Sequence, residues 1–412
     1  MKIAFYGSSL LSSYWNGAAT YYRGLLGALA ERGWDILFLE PDAFDRQQHR
    51  DIDAPDWAEV VVWDNTVEGC KTAMARAVEA DVVVKASGVG VFDDVLLGVF
   101  DLARPDALTV YWDVDAPATL AEVKAAPDHP LRRVLPQIDH VLTYGGGAPV
   151  VQAFQALGAR DCRPIYNALD PATHHPVQPD PGFSADLALL ANRLPDRERR
   201  IETFFLEPAA ALPQRRFLLG GNGWADKAMS ANVQTIGHVG TAQHNAFNCT
   251  PLAVLNVARD SMAEVGFSPA TRVFEATGAG ACLITDYWEG VEQFLKPDVE
   301  VLVARDGQDV AAHLAALTPE RAQAIGRAAR DLACGEGNDK RGHIGKVVQR
   351  IGDQCQTARE YAPDDLRNGK KPVRPDRDGN PPIARIRFDM RVPMIMRHWQ
   401  APHARVSRVG QS

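Results

Sequence analysis

The chain lacks any hydrophobic run that approaches the ~18 consecutive apolar residues a membrane-spanning helix needs. Met1–Leu10 carries one lysine followed by a strand-like run. It has neither the extended apolar region nor the small-residue cleavage site of a secretion signal, so it reads as the first core strand of a soluble, cytoplasmic protein. The six cysteines, Cys70, Cys162, Cys249, Cys282, Cys334 and Cys355, form no Cys-x-x-Cys pair. That spacing argues against a zinc site and against a small disulfide scaffold, and free thiols buried in a reducing compartment are expected instead. His238 and His244 have no partners at metal-ligand spacing, and the linker histidines His174 and His175 read as exposed. Positive charge is in deficit, with 44 Lys+Arg against 52 Asp+Glu and a net charge of -8. A polyanion needs a positive surface, so general nucleic-acid binding is not expected. A small anionic ligand, held by a few local groups, stays compatible. The Gly-x-Gly-x-x-Gly fingerprint of dinucleotide binding is missing from the first strand–helix turn.

What is present is an α/β rhythm. At 412 residues the chain has length for about two domains, and its 46% hydrophobic content suffices for sizeable cores. Lys2–Tyr6, Asp35–Glu40, Val60–Val62, Val82–Val84, Thr109–Trp112 and His140–Thr143 read as strands. Thr20–Arg32 is an amphipathic helix, with Tyr21, Leu25 and Leu29 on one face and Gly33 as its stop. Prolines 171, 176, 179 and 181 with Gly182 then mark a linker over Asp170–Phe183. The rhythm restarts with strands at Leu187–Leu190, Arg216–Leu219, Val233–Ile236, Ala253–Asn256, Ala281–Thr285 and Val301–Val303. Helices are expected at Ile201–Ala211, Arg272–Thr277, Val291–Leu295, Asp309–Leu317 and Pro319–Cys334. Such alternation predicts mostly parallel sheets covered on both faces. The expected domains are residues 1–170, 183–350 and a basic extension over 361–412. That extension holds 11 of the chain's Lys+Arg, only 5 of its Asp+Glu, and seven prolines. It is either a disordered tail or an arm packed on the acidic body.

One segment concentrates chemistry: Ser268-Pro-Ala-Thr-Arg-Val-Phe-Glu-Ala-Thr-Gly-Ala-Gly-Ala-Cys-Leu-Ile-Thr-Asp286. It reads as a loop, a short helix starting near Pro269, a glycine turn and a strand. Amides at a helix N-terminus favour an anion, and Arg272 adds a guanidinium fork suited to phosphate. Glu275, three residues on, shares its helix face and suits the vicinal hydroxyls of a ribose. On periodicity alone the two equally suit a structural ion pair. Asp113 and Asp115 follow the Thr109–Trp112 strand, on the edge where parallel sheets place function. Either a role capping a turn or helix or a general base for a hydroxyl fits them. Gly145–Gly147 reads as a flexible loop on the same edge.

The run Arg272, Phe274, Glu275, Ala276, Gly280, Leu283–Asp286, Gly290 and Glu292–Phe294 resembles the donor-binding motif of GT-B glycosyltransferases. More narrowly, it resembles the CgeB-like (spore maturation protein) group with its glycosyl transferases group 1 domain. Tyr166-Asn167-Ala168-Leu169-Asp170 resembles the segment that closes the first domain there, without its usual glycine. Leu189–Arg193 with Asp196 and Arg197 resembles the first strand and loop of the second domain, where a basic residue faces the donor diphosphate. This implies roles for Arg193 and Arg197, although Asp196–Arg200 also reads as a solvated charged face. Phe217–Trp224, with Gly221, resembles the next strand and turn, and Gly237–Gly240, with His238, the loop near the donor base. Gly7 and Ser8 fall in the loop that faces the donor across the cleft.

The resemblance implies two Rossmann-like α/β domains facing across a cleft that closes about the linker. It also implies metal-independent, hexosyltransferase-type transfer from a nucleotide-diphosphate sugar, with UDP favoured. No bound cofactor is implied, and the acceptor is an undefined glycan, protein or small molecule. One departure stands out. Many retaining relatives carry a Glu-x7-Glu pair, and the position that counts back from Glu275 is Phe267, with Glu264 out of register. The departure leaves the retaining and the inverting outcome both open, with Asp113 or Asp115 as base in the inverting case. It also leaves two rivals, a nucleotide-sugar epimerase on the same fold and a non-catalytic nucleotide-sugar binding or scaffold protein.

Overall fold

A computed structural model of the chain describes residues 1–14, 16–166 and 169–335. The basic extension 361–412, residues 336–350 of the expected second domain, Trp15 and the Asn167–Ala168 step lie outside the described residues. Among the described residues thirteen strands form two wholly parallel sheets. The first contains β1 (Lys2–Tyr6), β2 (Asp35–Asp42), β3 (Ala58–Asp64), β4 (Val82–Ala86), β5 (Leu108–Asp113), β6 (His140–Thr143) and β7 (Cys162–Pro164). Its order is β3-β2-β1-β4-β5-β6-β7. The second contains β8 (Leu187–Leu190), β9 (Phe217–Gly220), β10 (Val233–Gly237), β11 (Ala253–Asn256), β12 (Leu283–Asp286) and β13 (Leu302–Ala304). Its order is β10-β9-β8-β11-β12-β13. Each half thus has the 3-2-1-4-5-6 order of a Rossmann fold, whose crevice opens where the strand order reverses. In the first sheet that point lies between β1 and β4, and in the second between β8 and β11.

Strands buried on both faces explain the unbroken apolar runs. In β1, Phe5 and Tyr6 are almost wholly buried, yet they belong to different cores. Phe5 joins Leu25, Phe38, Val84 and Trp112 on the face covered by the Ala19–Ala30 helix. Tyr6 joins Leu39, Cys70 and Val83 on the other face. The second sheet repeats the scheme, with Leu189, Phe205, Leu219 and Ile284 on one side and Leu218, Val254, Val273 and Leu283 on the other. Gly33 (φ +80°) ends the first helix, its N–H and that of Trp34 closing onto Ala30 O and Leu29 O. A left-handed residue at this position suits glycine.

Several expectations change in detail. The helix expected at Ile201–Ala211 begins at Pro195 and runs through one π-type turn at Glu202–Leu206. Pro195 supplies the pre-set φ of a first helical position, and Asp196 and Glu198 favour its positive end. The charged run is therefore the first turn of a helix rather than a loop. Val291–Leu295 makes only a 3-10 turn over Val291–Gln293. The strand expected from Ala281 starts at Leu283. The short edge strand β7 was not anticipated. His174, expected to be exposed, is buried under the Thr271–Gly278 helix, where a Cβ on Gly278 would come within 2.9 Å of His174 O. Of the thiols, Cys70, Cys162 and Cys282 are buried as expected, and Cys334 is exposed. Among the described residues no helix is long and apolar enough to cross a membrane.

Candidate functional site

The C-terminal ends of the strands, and the loops and helices beyond them, hold the residues singled out above. After β9, Gly221 adopts φ +112°, and a Cβ there would lie 2.1 Å from Ala191 O. Only glycine fits this close approach, which seats the β9 turn against the loop after β8. Asn222 N donates to Asn192 Oδ1 at 2.9 Å, and Trp224 Nε1 to Ala191 O at 2.7 Å. In this loop the two arginines part ways. Arg193 is engaged at both ends of its guanidinium, by Glu198 and Asp226 at 2.8 Å each. Arg197 reaches Asn192 O at 2.9 Å, and its buried Nε has no hydrogen-bond partner. Burial lowers its pKa to about 10, an effect to which the nearby cations Arg272 and Arg259 add and which Asp196 opposes. It still carries its charge at neutral pH.

The Thr271–Gly278 helix follows β11 and leads into β12. Its N-cap, Ala270, offers no side-chain acceptor, so the first amides are not capped by a side chain. Arg272 and Glu275 lie side by side, Nη2 to Oε2 3.9 Å, their side chains 15% and 11% exposed. Arg272 also points at Asn248 Oδ1 and Leu190 O, both at 3.4 Å. Those contacts are long for a guanidinium, whose charge-assisted bonds usually run to ~2.8 Å. Asn248 Nδ2 is buried without a hydrogen-bond partner. His244 packs beside this pair. Burial lowers its pKa, against the pull of Glu275. His238 lies exposed on the loop before it.

On the first half, Gly7 sits where a Cβ would come within 2.6 Å of the Phe38 ring, while Ser8 Oγ donates to Asn16 Oδ1 at 2.9 Å inside the protein. Both residues shape the loop after β1. Asp113 ends β5 and is fully buried. Its Oδ1 accepts from Ser87 Oγ, Asp115 N and Thr119 Oγ1 at 2.8, 3.0 and 3.0 Å, and its Oδ2 has no hydrogen-bond partner. Burial raises its pKa from 3.8 to about 6, against these hydrogen bonds. Asp115 retains 23% side-chain exposure and binds Arg259 Nη1 through Oδ2. Arg259 binds Asp196 as well, through Nε.

Arg259 was not singled out from the sequence. Its position directly beyond β11, a switch-point strand, is the signal that would have found it. Asp286 sets that position: its fully buried carboxylate accepts from Ala258 N at 2.9 Å and from Arg200 Nη2 at 2.6 Å.

The two halves also meet at the Gly145–Gly147 loop, which is packed rather than free. Gly146 N donates to Phe267 O at 2.8 Å. A Cβ on Gly145 would come within 2.9 Å of Ser268 Cα, and one on Gly147 (φ +51°) within 2.8 Å of the Phe267 ring. Phe267, standing where many relatives have glutamate, is itself left-handed (φ 48°) and packs against Gly147 and Gly290. Glu264, the out-of-register acid, is exposed. Further out, Ser13 Oγ meets Thr241 Oγ1 at 3.2 Å, beside the Arg23–Asp51 ion pair. Among the described residues no cluster of three or more His, Cys, Asp or Glu has the geometry of a metal site.

The Asp113 carboxyl yields a stability prediction. An acid whose folded pKa lies above its unfolded value costs stability when it ionises. Stability is thus lost as pH rises from the unfolded value through the folded one. The shift from 3.8 to about 6 amounts to roughly 3 kcal/mol lost between about pH 4 and pH 7. An Asp113→Asn variant should lack this component. Denaturant unfolding of both proteins across that range checks it, and parallel stability curves would contradict it.

The comparisons with known proteins give the fold. The two-sheet architecture is the GT-B fold, two Rossmann-like domains, of glycosyltransferases. Sucrose-phosphate synthase from Thermosynechococcus elongatus aligns over 87% of this chain and 100% of its own, with a TM-score of 0.62 and 14% identity. Anabaena HepE in complex with UDP and glucose aligns over the same shares, with a TM-score of 0.61 and 14% identity. The structure of trehalose-6-phosphate from E. coli bound with UDP-2-fluoro glucose aligns over 85% of this chain and 99% of its own, with a TM-score of 0.60 and 11% identity. More particularly, residues 197–336 match the family model described as glycosyl transferase-like. No curated protein matches the sequence.

Proposed function

We propose that the chain is a glycosyltransferase that moves a hexosyl group from a nucleoside-diphosphate sugar, UDP-linked in preference, to an acceptor hydroxyl. The observation that carries this reading is the convergence of Arg197, Arg259 and Arg272 with Glu275 at the switch-point edge of the second sheet, opposite Asp115 of the first. Glu275 suits the ribose hydroxyls, and the uncapped amides of the Thr271–Gly278 helix with Arg272 and Arg197 suit the diphosphate. Charge on a leaving diphosphate is the main thing such a site must stabilise, and preorganised guanidiniums do so without a bound metal. Arg193, committed to Glu198 and Asp226, keeps a shaping role, as do Gly221, Gly7 and Ser8. His238 is exposed and free to line the approach of the base. Asp115 is the base that takes the acceptor proton, and buried Asp113 positions the loop that carries it. Residues 1–170 would bind the acceptor and 183–350 the donor. Affinity with the CgeB-like group, a bacterial source and a cytoplasmic setting complete the reading. The finding that Phe267 occupies the place of the first glutamate favours a second reading, a nucleotide-sugar binding protein without turnover.

A thermal-shift screen with UDP, GDP, ADP, TDP and CMP tests the donor site. At about 100 times its dissociation constant a bound nucleotide adds roughly 2.7 kcal/mol of stability. One nucleotide should raise the unfolding temperature of wild type and fail to do so with Glu275→Ala. A folded wild type indifferent to all five removes the donor site. Nucleotide binding without consumption of the nucleotide sugar, in the presence of an acceptor pool, moves the conclusion to the second reading.

A further inference from the structure

Arg259 makes an ion pair across the two halves at the cleft. Its Nη1 binds Asp115 of the first half and its Nε binds Asp196 of the second. The side chain stays 36% exposed. The residue is held in place by Asp286, through the neighbouring Ala258 N–H. It also lies on the same sheet edge as Arg272: it binds Asp196, the neighbour of Arg197 in sequence, while Arg272 points at Leu190 O at the end of β8, the strand paired with β11. The guanidinium thus holds Asp115 and Asp196 on the edge that also carries Arg197 and Arg272, where an anion would be a further partner.

From this we infer that a bound diphosphate draws Arg259 away from Asp115, so that donor occupancy releases the base. A diphosphate carries more charge than one carboxylate and takes a guanidinium fork bidentately, so it competes well for this side chain. Without donor, Asp115 is neutralised by the pair and makes a poor proton acceptor. With donor, it loses that partner and becomes the stronger base. No bond is made or broken in this exchange; a hydrogen-bonded partner is traded. The inference rests on the nucleotide reading above and adds a direction to it: carboxylate and diphosphate are rivals for one guanidinium.

Rivalry has a thermodynamic signature, because coupling between two sites is reciprocal. Calorimetric titration of the full chain with UDP and with UMP reads it. Asp115→Asn, which removes the rival, should tighten UDP binding by about 5-fold or more and leave UMP binding unchanged. Arg259→Gln should weaken UDP binding by about 10-fold or more. The double variant should match Arg259→Gln, since without the guanidinium Asp115 has nothing to compete for. Arg259→Lys, which keeps the charge and loses the fork, should weaken UDP binding less, and it serves if Arg259→Gln unfolds. A purely structural Arg259–Asp115 pair predicts otherwise: Asp115→Asn would leave UDP affinity unchanged or lower it, and that result overturns the coupling while the donor site stands. A wild type that binds no nucleotide overturns both.

Discussion

Replacing Arg200 with methionine should destabilise the protein by about 3–5 kcal/mol, the usual cost of stripping the partner from a buried charge. Asp286 is fully buried at the end of β12, and Arg200 Nη2 at 2.6 Å is its cationic partner. Burial raises the carboxyl pKa, and Arg200 holds that rise in check. In Arg200→Met the pKa rises further, so the loss is greatest at neutral and alkaline pH and shrinks as the carboxyl protonates in acid. Adding Asp286→Asn should recover most of the loss, because no charge then remains to be buried, while an amide oxygen still accepts from Ala258 N. Denaturant unfolding of wild type, single and double variants at neutral pH decides the matter. A single variant within about 0.5 kcal/mol of wild type would show that solvent already reaches Asp286. Asp286 also anchors the backbone beside Arg259, through Ala258 N.

The second large effect concerns turnover. Asp115→Asn should lower the rate of nucleotide-sugar consumption by about 10²–10⁴-fold, the range for loss of a positioned general base. Its nucleotide affinity should not fall. The rate is measured as nucleoside-diphosphate release from the nucleotide sugar that the screen selects, with an acceptor pool, alongside the titrations above. Asp113→Asn should cost less, since Asn keeps an oxygen for Ser87, Asp115 N and Thr119. Equal losses in the two variants would mean that Asp115 acts through the loop rather than on the acceptor.

Much of this architecture was legible in the residues themselves. Strands buried on both faces leave unbroken apolar runs, so His140–Thr143, Leu187–Leu190 and Ala253–Asn256 emerge from sequence with their observed limits. Helices that rely on tertiary packing were harder. The Gly147–Ala156 helix starts from Gly146 with no side-chain cap hydrogen bond, whereas the Ala116–Ala125 helix does carry start signals, Asp115 at its N-cap and Pro117 in its first turn, beside the carboxylates read as a candidate base. The Gly145–Gly147 run looked like a flexible turn because a glycine's role as close-packed backbone depends on what approaches it, here Phe267 and Ser268.

The Arg272–Glu275 spacing is local chemistry, readable because three residues along a helix return to one face. The Rossmann order of each half, and with it the edge that carries a site, follows from alternation of strand and helix under right-handed crossovers. What only the tertiary structure decided is which charges face each other across the halves. Arg193 and Arg197 are near neighbours in sequence, yet one is consumed by Glu198 and Asp226 and the other is turned inward beside Arg272 and Arg259. Asp115 and Arg259 are 144 residues apart and meet because two separate sheets present their strand ends to one crevice. Periodicity encodes the face a side chain takes on its own element; the partner across a cleft depends on how two elements are placed in space, and no local pattern carries that information.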